Sequence, residues 1–437
     1  MSHNAAARSK FQAYTPARFK ETKYWNYLDQ GYHSVFENTV EVLPFRVNDY
    51  VLENLIDWDN WSDDPMFKLL FPQKGMLSPN QFNSVKGAKA TGHEALKQAV
   101  INVRSALNPH PANQTTHNIP IFDGELVEGV QHKYDQTALF FPSAGQTCHA
   151  YCSFCFRWPQ FVSDPALKIQ ATEPNALAAY LKAHPKISDV LITGGDPMVM
   201  GAHVLERYLK PLLEIPTVTK IRIGSKSLSY WPSRFTTDKD ARQVLNLFEK
   251  IVNSGRHLAF MAHLNHWREL MPRPVEDAIQ AVRSTGAVIR TQGPLLRHIN
   301  DNPNVWKRMW DDACKLNIIP YYMFVERDTG PSAYFRVPLV EAHEIYRQAY
   351  QQVSGLARSA RGPVMSTMSG KIQMEGILEQ NGEKIFILKM LQARDRNLTQ
   401  IPFAAKYSDS AAWIDELQPH GTNLFPFENS KSLQAAC

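Results

Sequence analysis

Cysteine is scarce in this chain, five residues among 437, and three of the five fall between positions 148 and 155. Thiols so few and so unevenly placed exclude a disulfide framework of the secreted kind. Long apolar runs are missing as well. No stretch approaches the length of about 18 residues that a membrane-spanning helix needs, and the polar opening Met1 to Lys10 lacks the apolar core of a secretory signal. The expected location is the cytoplasm, with no membrane partner. Charge of one sign is concentrated nowhere: 47 basic and 42 acidic residues are spread along the chain for a net +5, which gives no reason to expect nucleic acid and leaves small anionic ligands compatible. No low-complexity tract and no repeat of solenoid period is present, so the chain is expected to fold along nearly all its length.

What the chain does have is alternation of short β-branched runs with amphipathic stretches. Strands are expected at Ala138–Phe141, Val190–Thr193, Lys220–Ile223, Leu258–Ala262, Ala287–Thr291 and Pro320–Val325. Helices fall between and after them, at Asn175–Ala183, Val204–Leu213, Asp238–Asn253, Val275–Ser284, Val305–Leu316 and Leu339–Val353; Val244, Leu247, Phe248 and Ile251 form one stripe ahead of Gly255 as a C-cap. Spacings of roughly 30–40 residues between strands suit right-handed βαβ crossovers. The expectation is an α/β fold, an open six-strand (βα)6 partial TIM barrel spanning 121–355. Residues 1–120, aromatic-rich and punctuated by proline, read as a helical N-terminal layer, and 356–437 as a C-terminal segment with short strands and loops beyond Gly376.

Cys148, Cys152 and Cys155 follow the first expected strand in a C-x3-C-x2-C loop. A structural zinc site takes four protein ligands, so three cysteines leave one to be supplied by His149 or a distant group. A 4Fe-4S cluster on three thiolates leaves one iron free for an exogenous ligand. Cys314, on an expected helix, and Cys437, the last residue, read as bystanders.

The cysteine loop resembles the signature of radical S-adenosylmethionine enzymes. The resemblance continues through Leu191-Ile192-Thr193-Gly194-Gly195-Asp196-Pro197, Ile221-Arg222-Ile223-Gly224-Ser225-Lys226, His263-Leu264-Asn265-His266, Thr291-Gln292, Leu295 to Asp301, and Pro320-Tyr321-Tyr322 with Phe335-Arg336-Val337-Pro338. Together these segments, over residues 40–375, are similar to the lysine 2,3-aminomutase family. The resemblance implies a 4Fe-4S cluster on the three cysteines, S-adenosylmethionine and pyridoxal 5′-phosphate as cofactors, and an electron donor of flavodoxin or ferredoxin type. It implies S-adenosylmethionine contacts at Gly194, Gly195, Asp196, Ser225, His263, His266 and Gln292. The two glycines also admit a plainer reading as a tight strand-to-helix turn, and either histidine could be an ordinary core residue.

By the same resemblance Lys371, in Ser369-Gly370-Lys371-Ile372, carries pyridoxal phosphate. Lys133 and Tyr134 contact its phosphate and ring, although Met365 to Ser369 replaces a run of glycines. Arg157, two residues past the last cluster cysteine, stands where the family grips the substrate carboxylate. The two aspartates that bind a lysine side chain in the family align with Arg327 and Val364. The expected substrate is therefore an acidic, glutamate-like amino acid, while a one-residue shift would bring Glu326 or Asp328 to the site and restore lysine, free or protein-bound. No zinc is expected: the resembling lysine enzymes hold it through additional cysteines near the C-terminus, and after Cys155 this chain has only Cys314 and Cys437. Rival expectations are a radical enzyme without pyridoxal phosphate and a non-catalytic iron–sulfur or zinc protein. Homo-oligomerisation is left open.

Overall fold

A computed structural model describes residues 11–110, 118–162 and 168–428; Cys437 and the first ten residues lie outside the described residues. The fold is mixed α/β, built on one sheet of eleven strands in which each strand neighbours the one before it in sequence. In chain order these are β1 (Val130–Tyr134), β2 (Thr137–Phe140), β3 (Asp189–Ile192), β4 (Lys220–Ser225), β5 (His257–His263), β6 (Val288–Leu295), β7 (Ile319–Val325), β8 (Arg361–Ser366), β9 (Gly370–Gln380), β10 (Glu383–Ala393) and β11 (Pro402–Lys406). Strands β2 to β8 run parallel, and β1 and β9 to β11 are antiparallel additions at the two ends.

The six expected strands are all in the parallel run, each within a few residues of its expected place. Their number is the correction: β8 lengthens the parallel run to seven, and the C-terminal segment forms sheet rather than short strands and loops. Strands β9 and β10 have 11 residues each. Ile372 and Met374 of β9 and Phe386, Leu388 and Met390 of β10 pack with Leu339, Trp413 and Phe425 in a core of their own. A register shift between Met374 and Gly376 breaks the alternation of apolar residues, which is why the pattern is faint in the sequence. The sheet also curls. Lys371 on β9 stands with its Nζ 5.0 Å from the ring centre of Tyr134 on β1, so strands far apart in the sheet order face each other across its concave side.

Helices between the parallel strands cover the convex side, as crossovers require. Leu205, Tyr208, Leu209 and Leu212 on the helix Ala202–Leu213, and Val244, Leu247, Phe248 and Ile251 on Ala241–Asn253, are buried. The N-terminal layer is helical, with Gln30–Val42, Pro79–Thr91 and His93–Leu107 as its longest pieces, and an aromatic cluster of Phe19, Phe36, Phe45, Phe67 and Phe71 holds it together. This layer grips the cysteine loop from outside. Tyr151 N donates to Arg46 O at 2.8 Å, Ser153 N to Leu69 O at 2.9 Å, and Asn48 Nδ2 to His149 O at 3.2 Å. No helix among the described residues is long and apolar enough to cross a membrane.

Candidate active site

The concave side of the sheet encloses a cavity of about 350 Å³ at the C-terminal ends of the parallel strands, the end where side chains from many strands converge. Cys148, Cys152 and Cys155 form part of its wall. Burial pushes all three thiols up, Cys155 to about 12, so they would hold their protons unless a metal centre took them. His149 does not join them. Its ring packs on Phe11, and its Nδ1 lies 2.9 Å from Ser227 Oγ, which in turn donates to Asp196. Among the described residues no three His, Cys, Asp or Glu side chains converge on one metal ion. Three thiols spread along one wall fit a multi-iron cluster, which distributes its thiolates over separate irons.

Beside the thiols the loop after β3 meets the cysteine loop directly. A Cβ on Gly195 would lie 2.4–2.7 Å from the backbone of Thr147, and one on Gly194 would lie 2.2 Å from the side chain of Gln146. These glycines also line the cavity, but the close approach that requires them is loop against loop. Asp196 follows, with every strong contact internal: its carboxylate accepts from Met198 N at 2.9 Å, Lys226 N at 2.9 Å, and Ser225 Oγ and Ser227 Oγ at 3.0 Å. It fastens the β3 loop to the β4 loop.

Ser225, His263 and Gln292 line the cavity. Burial lowers His263 to about 3, so its imidazole is neutral, and the ring lies against Phe154. His266 is not brought to the cavity. Its Nδ1 accepts from Arg268 N, and it caps the short helix Trp267–Leu270.

On the opposite wall Lys371 Nζ donates to Gln392 Oε1 at 3.0 Å, between the rings of Tyr134 and Tyr322. Desolvation, with help from the Arg222 and Arg361 guanidinium groups and against Asp189, lowers its pKa to about 7. Lys133 is also lowered well below its ordinary value, first by burial and then by Arg327, Lys371, Arg157 and Arg394 around it. None of Lys133, Arg157, Arg327 and Arg394 has a carboxylate within ion-pair distance among the described residues. Cations left without an ion-pair partner fit an anion such as a phosphate.

Arg157 lies over Phe141 and Phe156, and Arg327 over Phe156 while donating to Ser366 O at 3.1 Å. Glu326 also lines the cavity, and burial raises its carboxyl well above the ordinary range. Asp328 points elsewhere, to His110 at 3.2 Å, and Val364 is buried in β8 away from the lining.

Sequence reasoning missed Gln392 and Arg394, which the β9–β10 hairpin carries to Lys371 and Tyr134. It also missed Tyr322 as a wall of the Lys371 site and Tyr230 beside Cys152. Nothing in the local sequence marks Gln392 or Arg394, because their place depends on the curl of the sheet.

Comparison with known proteins finds relatives that span most of the chain. A relative from Aquifex aeolicus (strain VF5) is 32% identical over 381 residues, covering 87% of this chain and 89% of its own, and bears the name L-lysine 2,3-aminomutase provisionally. Two proteins named L-lysine 2,3-aminomutase also match. One, from Escherichia coli (strain K12), is 30% identical over 55% of this chain and 68% of its own. The other, from Bacillus subtilis (strain 168), is 27% identical over 60% and 53%. No family model matches the chain. Among solved structures, Streptococcus suis SuiB bound to S-adenosylmethionine matches with a TM-score of 0.36 at 13% identity, over 59% of this chain and 49% of that one. A radical SAM methyltransferase from Sphaerobacter thermophilus matches with 0.37 at 13%, over 54% and 68%.

Proposed function

The chain belongs to the lysine 2,3-aminomutase family of radical S-adenosylmethionine isomerases, and on that premise we propose that it moves the α-amino group of an amino acid to the β-carbon. The observation that carries this reading is one cavity with three half-buried thiols on one wall and a lysine of pKa about 7 on the other. When bound, the cluster with S-adenosylmethionine supplies a carbon radical that takes hydrogen from the substrate, and pyridoxal phosphate supplies the ring that stabilises the migrating nitrogen.

The chain's own residues divide the rest. Cys148, Cys152 and Cys155 would hold three irons, with Gly194, Gly195, Ser225, His263 and Gln292 lining the side where the nucleotide would lie. Asp196 acts through the two loops it ties, as a positioning residue. Lys371 would hold pyridoxal phosphate as the catalytic amine: a pKa near 7 leaves a large unprotonated fraction, which attack on an aldehyde needs. Gln392 aims that amine, and Tyr134 and Tyr322 flank it. Lys133 and Arg394 suit the phosphate. Arg157, with no protein acid to pair, suits the substrate carboxylate.

The substrate side chain has two readings. A lysine-like one is favoured by the names of the relatives and by Glu326. Of the three carboxylates lining the cavity, Asp189 is paired with Arg222 at 2.7 Å and Asp196 is occupied by four donors, which leaves Glu326 facing the space. The acidic, glutamate-like reading rests on Arg157 and Arg327. Both lie against Phe156, at 4.9 and 5.0 Å from its centre, so their guanidinium carbons are no more than about 10 Å apart, within reach of two carboxylates on one small molecule.

The test is anaerobic purification with iron, sulfide and pyridoxal phosphate. The reading expects reductive cleavage of S-adenosylmethionine and a visible absorption of lysine-bound pyridoxal phosphate that disappears in Lys371→Ala. Tightly bound zinc without cleavage, or an absorption that survives Lys371→Ala, would refute it. An electron donor of flavodoxin or ferredoxin type completes the system, since the chain supplies no electron of its own.

A further inference from the structure

Tyr230 ends the four-residue helix Ser227–Tyr230 that follows β4, and its side chain is buried. Its phenol oxygen lies 3.4 Å from Cys152 Sγ, the one partner it has among the described residues. A cysteine that ligates iron is a thiolate and has no proton to give, so in this pair the phenol is the donor.

The ring is held on several sides. The Lys226 ammonium stands 4.6 Å over its centre, and is itself fixed by Glu269 Oε2 at 2.5 Å, Asn265 Oδ1 at 3.0 Å and His263 O at 3.2 Å. Glu269 accepts in turn from Ser229 Oγ at 2.8 Å and from Asn265 N at 2.7 Å. The Tyr230 carbonyl accepts from Asn48 Nδ2 at 3.0 Å, which joins the short helix to the N-terminal layer that grips the cysteine loop. Packing alone does not account for the hydroxyl, because phenylalanine would fill the same volume. A buried tyrosine O–H needs a partner, and here it is aimed at sulfur.

We propose that Tyr230 is a positioning residue that donates a hydrogen bond to the Cys152 thiolate and thereby raises the reduction potential of the cluster. The inference rests on the cluster reading given above. An added electron increases the negative charge on the sulfurs, so a donor aimed at one of them stabilises the reduced cluster more than the oxidised one. The consequence is easier one-electron entry from the external donor.

The experiment is a redox titration of the full chain, reconstituted with iron and sulfide and without S-adenosylmethionine, followed by the electron paramagnetic resonance of the reduced cluster. Tyr230→Phe should keep the iron content and titrate at more negative potential, with the reduction equilibrium shifted roughly tenfold, which is ~59 mV for one electron. Site-specific 3-fluorotyrosine at 230, a more acidic phenol and a stronger donor, should shift it the other way. Wild-type potentials in both samples would overturn the proposal. If Tyr230→Phe takes up no cluster, the sign of the fluorotyrosine shift decides alone. A wild-type chain that takes up no cluster would refute the cofactor assignment itself.

Discussion

Lys371 should be far more reactive at neutral pH than a lysine in water. A lysine in water keeps a pKa near 10.4, so roughly one amine in a few thousand is unprotonated at pH 7. With burial lowering Lys371 to about 7, roughly half is unprotonated, an increase of about a thousandfold. Competitive acetylation with trace acetic anhydride, read on the Lys371 peptide by mass spectrometry, should rise tenfold per unit below pH 7 and flatten above it. Arg222→Met should move the inflection up by about a unit or more, because it removes a repelling cation and also frees Asp189, which accepts from Arg222 Nε at 2.7 Å.

The linkage has a definite sign. The folded state lowers this pKa, so between about 7 and about 10.5 the unfolded chain binds more protons and stability from this group rises with pH. Lys371→Met should therefore stabilise the cofactor-free protein at and below pH 7, by an amount on the order of 5 kcal/mol at ~1.4 kcal/mol per unit, and progressively less toward pH 10.5. An inflection near 10 in the wild type would refute the burial argument.

Further outcomes follow from the same geometry. Gly195→Ala should push the β3 loop off Thr147, at a cost of ~1–3 kcal/mol, and lower the iron retained per chain after reconstitution; full iron content with unchanged stability would contradict the loop contact. Glu326→Gln should cut kcat/KM for lysine by ~30-fold or more, the range of about 2–5 kcal/mol for losing one partner of a buried charge pair, and leave neutral amino acids little affected. Arg327→Gln should abolish turnover only if the substrate is acidic, so the same kinetic panel separates the two substrate readings.

Six of the seven parallel strands were readable as short apolar runs, most of them with alternate residues buried, and the crossover helices because their apolar stripes have one period. The cysteine loop was readable from spacing. The purposes of Gly194, Gly195 and Asp196 were not, since they depend on a contact with Gln146 and Thr147 and on hydrogen bonds to the β4 loop. His266 shares a four-residue motif with His263, yet a cap turns one ring away while the other faces the cavity. Gln392 and Arg394 gain meaning only when the curled sheet brings β9 and β10 opposite β1. The distance in sequence between Tyr134 and Lys371 hides that meeting from any local pattern, and only the family resemblance pointed to it.

The central claim is tested most directly by identifying the product. The reconstituted enzyme, with S-adenosylmethionine, pyridoxal phosphate and a reductant, is given a panel of α-15N amino acids that includes lysine and glutamate, and the mixture is read by mass spectrometry. The account predicts a 3-amino isomer that keeps the 15N, formed by the wild type and absent in Lys371→Ala and in each cysteine variant. Formation of 5′-deoxyadenosine with no β-amino product from any member of the panel would contradict it.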